Sequence, residues 1–245
     1  MPNTKITKQK WKDHLTYSKK THIIGIIVSL PVASLIFSIT RYQVPNEKAV
    51  QIALVDNYVA TDKLDDVVPV LLKNAQAEDD ELEQVQFLSI AYSGNVDAAS
   101  EEDYYGSQVY MVQVYAGDND IYLQNERLTQ SMIDQNYCLP LENFEGFDEF
   151  ILKHPNVAVL WQSEPTGEDA GDDDEEEPEP QANAEEPVLH AYALDASSLM
   201  GMVERSAYSV YGKYACLVYA SKNPETSFKV LCDMYDVLTS SESAE

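Results

Sequence analysis

The spacing of apolar and polar positions divides the chain into one long uncharged run and a series of short alternating segments. Residues 23–40, IIGIIVSLPVASLIFSIT, carry no charge, and Ser29, Ser34 and Ser38 are hydroxyls that can bond back to their own helix. About 18–20 such residues, at ~1.5 Å each, match a hydrocarbon core of ~30 Å. The pattern therefore predicts a transmembrane helix over 21–42, with Pro31 tolerated inside it. A cleaved signal peptide fits less well, because Leu35-Ile36-Phe37 continues past the small residues Val32-Ala33-Ser34. A lipid-modified Cys is excluded, since the first Cys is Cys138.

Beyond a linker at 43–48 the periods shorten. AVQIALV at 49–55 reads as a strand buried on both faces. In 61–74 Leu64, Val67, Val68, Leu71 and Leu72 mark one helical face, and Pro69 predicts a kink or an early break. VQFLSIAY at 85–92 predicts a second strand. Residues 98–116 fit a strand at 109–115 or a helix; Ser100 before two acids and Gly117 as a stop favour the helix. A strand at 120–124, a helix at 126–135, a short helix near 147–152 and a strand at 157–162 follow. Strands at 188–194 and 214–220 come next, then a helix opened by Asn223-Pro224-Glu225 and ending near Thr239. Strands alternating with helices predict a single layered α/β domain at 49–239 with a mainly parallel sheet, and 240–245 as a polar tail.

Charge changes this picture in two ways. Residues 1–20 hold six Lys against one Asp, in a chain of net charge −26. With the positive-inside rule, this predicts a basic cytoplasmic segment and a single-pass cell-membrane protein whose C-terminal domain lies outside. Residues 164–187 hold 12 acids, four Pro and no aromatic or branched aliphatic residue, which predicts a disordered acidic insertion. The strands flanking it are expected to be neighbours. So acidic a chain lacks the basic footprint that nucleic acid requires.

Motifs for chemistry are scarce. No Gly-x-Gly-x-x-Gly, Walker-type loop or Gly-x-Ser-x-Gly elbow occurs, and no cofactor is expected. His154 and His190 have no partner at a metal spacing. The run at 172–177 lacks the spaced ligands of an EF-hand loop. Cys138, Cys216 and Cys232 read as buried thiols, with Cys216 and Cys232 the nearest pair should a disulfide form. Tyrosines gather at 104, 105, 110, 115 and 122, and again at 208, 211, 214 and 219. They suit a carbohydrate or protein contact surface, or the edge of a core.

Three stretches resemble bacterial extracytoplasmic solute-binding proteins of the type 2 periplasmic-binding fold. They are Ala116-Gly117-Asp118-Asn119-Asp120-Ile121-Tyr122 with Cys138-Leu139-Pro140-Leu141, then HAYALDASSL at 190–199, then Ser221-Lys222-Asn223-Pro224-Glu225-Thr226-Ser227-Phe228. The resemblance implies a relative reduced to about one lobe. In a parallel sheet a ligand sits beyond the carboxyl ends of the strands. That rule selects Asp56, Asn57 and Tyr58, then Tyr92, Ser93 and Asn95, then Asn125, groups suited to a neutral polar ligand. The expected function is a non-catalytic binding or accessory protein for a small polar ligand or another envelope protein. A structural envelope protein and an extracytoplasmic hydrolase are the alternatives.

Overall fold

The computed structural model describes residues 19–40, 44–94, 100–163 and 188–239, with residues 8, 9, 12 and 42 besides. Asn95, the 164–187 insertion and the 240–245 tail, all named above, lie outside the described residues. Two compact units, Met1–Gln43 and Val44–Glu245, are described separately.

In the first unit, helix α1 spans Lys19–Thr40 with Pro31 inside it. Among the described residues, no helix is long and apolar enough to cross a membrane. This corrects the expected transmembrane helix at 21–42, and with it the single-pass topology, the cell-membrane location and the two-sided orientation. The 22 residues of α1 open on Lys19 and Lys20 and set Ser29, Pro31, Ser34, Ser38 and Thr40 among the apolar positions.

The second unit is built on six strands: β1 (Ala49–Asp56), β2 (Gln84–Ala91), β3 (Ile121–Asn125), β4 (Val159–Ser163), β5 (Leu189–Asp195) and β6 (Lys213–Leu217). Their order is β2-β1-β3-β6-β5-β4. β1 pairs in parallel with β2 and β3. The β3–β6, β6–β5 and β5–β4 pairs are antiparallel. The sheet is therefore mixed, correcting the mainly parallel sheet expected. β4 and β5 are neighbours, as expected of the strands flanking the acidic insertion, and they pair antiparallel.

Among the described residues six helices cover the two faces: α2 (Val68–Ala75), α3 (Glu101–Ala116), α4 (Glu126–Asp134), α5 (Phe147–Lys153), α6 (Met200–Ser206) and α7 (Pro224–Thr239). Alternation along the strands sorts the core. Val50, Ile52 and Leu54 of β1 pack with Leu71, Phe150, Met202 and Leu231, from α2, α5, α6 and α7. Ala53 and Val55 point the other way, to Tyr110 and Val114 of α3 and Met132 of α4. β1 is thus buried on both faces, as its unbroken apolar run requires. In β5 the alternation slips once. Leu160 of β4 faces Ala193 and Trp161 faces Ala191, so Tyr192 is the extra residue of a β-bulge.

Local signals explain several boundaries. Pro69 cannot sit inside a helix, so 61–75 divides into a 3₁₀ turn, Thr61–Leu64, and α2, which carries Pro69 in its first turn. Ser100 caps α3 by accepting from the Asp103 amide at 3.0 Å. Gly117, left-handed at φ 66°, ends it. Gly106 lies in α3 because a Cβ there would stand 1.9 Å from the Ala91 carbonyl oxygen, so helix and β2 end meet backbone to backbone.

Candidate functional site

Six of the seven sequence-selected residues are described, and they do gather at the carboxyl edge of β1, β2 and β3. Several of their polar groups, however, are engaged within the fold. Asp56 accepts from the Asn57 amide at 2.8 Å and pairs with the Lys213 ammonium at 3.1 Å. Lys213 is buried, donates to the Val55 carbonyl at 3.3 Å and lies 5.6 Å from the Tyr208 ring centroid. Tyr208 in turn donates to the Leu123 carbonyl at 2.7 Å. Asn125 caps α4 through the Leu128 amide at 2.9 Å and donates to the Ser93 carbonyl at 2.9 Å. The Ser93 amide donates to Asp103 at 3.0 Å, and that hydrogen bond holds the Asp103 carboxyl below its usual range. Tyr92 packs its ring 5.6 Å from Tyr110. Tyr58 stands open, at 73% exposure.

The reason is topological. A switch point exists, since β2 and β3 flank β1 on opposite sides, and such a crevice is where ligands enter open parallel sheets. Here the antiparallel β6 begins at that same edge. Its entry, from Ser206 to Lys213, reaches that edge, where Tyr208 and Lys213 donate to the ends of β3 and β1 and the Ala60 amide donates to the Ser206 carbonyl.

A different concavity opens toward the amino ends of β1 and β2, where α2 leads into β2 and α7 begins. It measures about 660 Å³ and is walled by the end of α2, by α5 and by α7. Its floor is apolar: Ala75, Phe150, Phe228 and Cys232. Its walls carry six carboxylates, Glu78, Asp79, Glu145, Glu149, Glu225 and Asp236, against Lys153 and Lys229. Both lysines are engaged. Lys153 meets Asp236 at 2.6 Å, and Lys229 meets Asp233 at 3.1 Å and Glu78 at 3.9 Å. Asp79 accepts from Thr226 at 3.1 Å, joining the loop after α2 to α7. Among the described residues Glu145, Glu149 and Glu225 have no hydrogen bond or ion pair, so the groove keeps an excess of negative charge.

Titration follows from these neighbours. Burial pushes Asp236 up, but Lys153 and His154 outweigh it and leave the carboxyl below its usual range. Burial pushes Asp233 up more than Lys229 lowers it. Burial takes the Cys232 thiol up to about 12, so it remains a protonated thiol at neutral pH.

Both histidines, which sequence shows without a partner at a metal spacing, meet a carboxylate. His154 Nε2 meets Asp236 at 2.9 Å, and its ring packs against Phe150 and Tyr235. His190 Nδ1 meets Glu142 at 2.6 Å, and Glu142 also accepts from the Ala191 amide at 2.8 Å, pinning β5. Among the described residues no group of His, Cys, Asp and Glu is arranged to hold a metal ion. The three cysteines are free. Cys216 faces the α3–α4 side while Cys232 packs on the other, so the sheet separates the pair that sequence placed nearest.

Compared with protein-family models, with curated proteins and with solved structures, the chain matches none. Function must therefore be read from the groove itself.

Proposed function

We propose that this chain is a non-catalytic binding protein whose groove between α2, α5 and α7 takes a small cationic ligand, a primary amine or a basic side chain. One observation carries the reading: six carboxylates over an aromatic floor, with both local lysines already paired. The groove volume suits a small molecule, and an apolar floor with a few charged groups is the usual composition of such sites. Cation–π contact with Phe150 or Phe228 would add to the carboxylates. The protonated thiol of Cys232, and a His154 engaged by Asp236 against aromatic rings, support binding rather than catalysis. The resemblance of 116–122, 190–199 and 221–228 to solute-binding proteins agrees with a binding role, although the groove favours a cation over the neutral ligand expected from the strand ends.

The test is a thermal-shift panel of sugars, zwitterionic amino acids, diamines and short basic peptides on the full chain. Binding to the folded state stabilises it by about 2.7 kcal/mol at ~100-fold over Kd. The proposal expects a shift with the amines alone, reduced in Glu145→Gln/Glu149→Gln. A shift with sugars only, or an amine shift untouched by the double substitution, would refute it.

A further inference from the structure

We propose that the outward face of α3 is the interface of a homodimer. A helix with apolar residues all round is normally buried all round, yet α3 is buried on one side only. Tyr110 and Val114 enter the core, while Tyr104, Tyr105, Val109, Met111, Val112 and Tyr115 face outward, with Tyr104 at 60%, Val112 at 65% and Tyr115 at 60% exposure. After Asp103 the helix carries no charge through Ala116. The patch continues past its C-terminus, where the Tyr115 ring meets Tyr137 at 5.6 Å and the Tyr219 amide donates to the Tyr137 carbonyl.

Three observations select a second copy as the occupant. The first is area. At about 200 Å² for an open Tyr and less for Val and Met, the six side chains leave roughly 600 Å² uncovered, so a two-fold pair would cover roughly 1,200 Å², the lower bound of a standard interface. The second is charge. Two chains of net −26 repel over most of their surface, and an uncharged helix face is where they can meet. In an antiparallel two-fold crossing, the acids Glu101 to Asp103 of the two copies lie at opposite ends, about 24 Å apart along a helix of this length. The third is the composition of the acidic insertion. The insertion at 164–187 has no aromatic or branched aliphatic residue with which to cover such a face.

The experiment is sedimentation equilibrium of the full chain and Val112→Glu, with oxidative cross-linking of Val112→Cys and Tyr58→Cys as a readout independent of stability. The proposal expects a dimer for the wild type and a dimer Kd raised at least about 30-fold in Val112→Glu, as for loss of a central contact. It also expects a covalent dimer from Val112→Cys and none from Tyr58→Cys or the wild type. A wild type monomeric at about 100 µM, a concentration that would populate any dimer with micromolar Kd, would overturn it and leave the face to a different protein. So would a Val112→Glu chain that still dimerises, or cross-linking no faster at 112 than at 58.

Discussion

At the scale of single residues, Lys213 ties the start of β6 to the carboxyl end of β1. Its ammonium is buried and shared between Asp56 and the Val55 carbonyl. Removing one partner of such a pair strands the other, whereas replacing both with apolar groups costs little. Asp56→Ala should therefore cost about 3 kcal/mol. Asp56→Ala/Lys213→Met should recover most of it, as measured by urea denaturation of the four chains of the cycle. A double variant as unstable as the sum of its parts would show that the pair is not coupled. The same cluster shows what sequence could and could not reveal. Residues Asp56, Tyr92, Ser93 and Asn125 were legible as one group, because each follows an apolar strand run. That Lys213 and Tyr208 would arrive among them was not legible, because they come from β6 and the loop that enters it, over eighty positions further on, and no local pattern sets the direction of that strand. Buried pairs such as Tyr110 donating to Gln124 at 2.8 Å are equally silent in sequence.

At the scale of elements, end signals carried the most information. Ser100 and Gly117 settled 98–116 as a helix against its strand-like apolar run, and Pro69 marked the break before α2. α6, by contrast, went unseen, for MGMVERS is too short to show a period. Gly201 within it packs close to α7, where a Cβ would come 2.8 Å from the Leu238 carbonyl oxygen. Strand direction was misread because β5 and β6 resemble buried parallel strands, being covered on both faces, while their pairing is antiparallel. The close approach of α3 to β2 yields a sharp expectation. Gly106→Ala places a methyl group against the Ala91 carbonyl and should cost at least ~1–3 kcal/mol as overpacking, although Ala is the better helix former. A chemical-denaturation midpoint equal to or above the wild type would contradict that packing.

At the scale of the whole molecule, the excess of acidic over basic residues is the dominant feature. The groove was not legible in sequence because its walls come from three separate stretches of a chain with 42 acidic residues. No pattern singles out six of them. Asp236 offers a pH test. Its folded-state value lies below the usual one, so its contribution is present above the unfolded pKa of ~3.9 and is lost as pH falls through the lower folded value. Asp236→Asn should lower stability at neutral pH by up to about 1 kcal/mol, a modest figure because the side chain is one-third exposed. The gap to the wild type should close below about pH 4. A gap that stays constant down to pH 2 would mean that Asp236 acts through packing rather than charge.

Calorimetric titration of a diamine into the full chain, at low and at high salt, tests the central claim most directly. A cationic ligand held by the groove carboxylates should bind at low salt and weaken as salt screens them. In Glu145→Gln/Glu149→Gln the affinity should fall about tenfold, equivalent to ~1.4 kcal/mol. Binding that ignores both salt and the double substitution, or no binding by a folded chain, would contradict it.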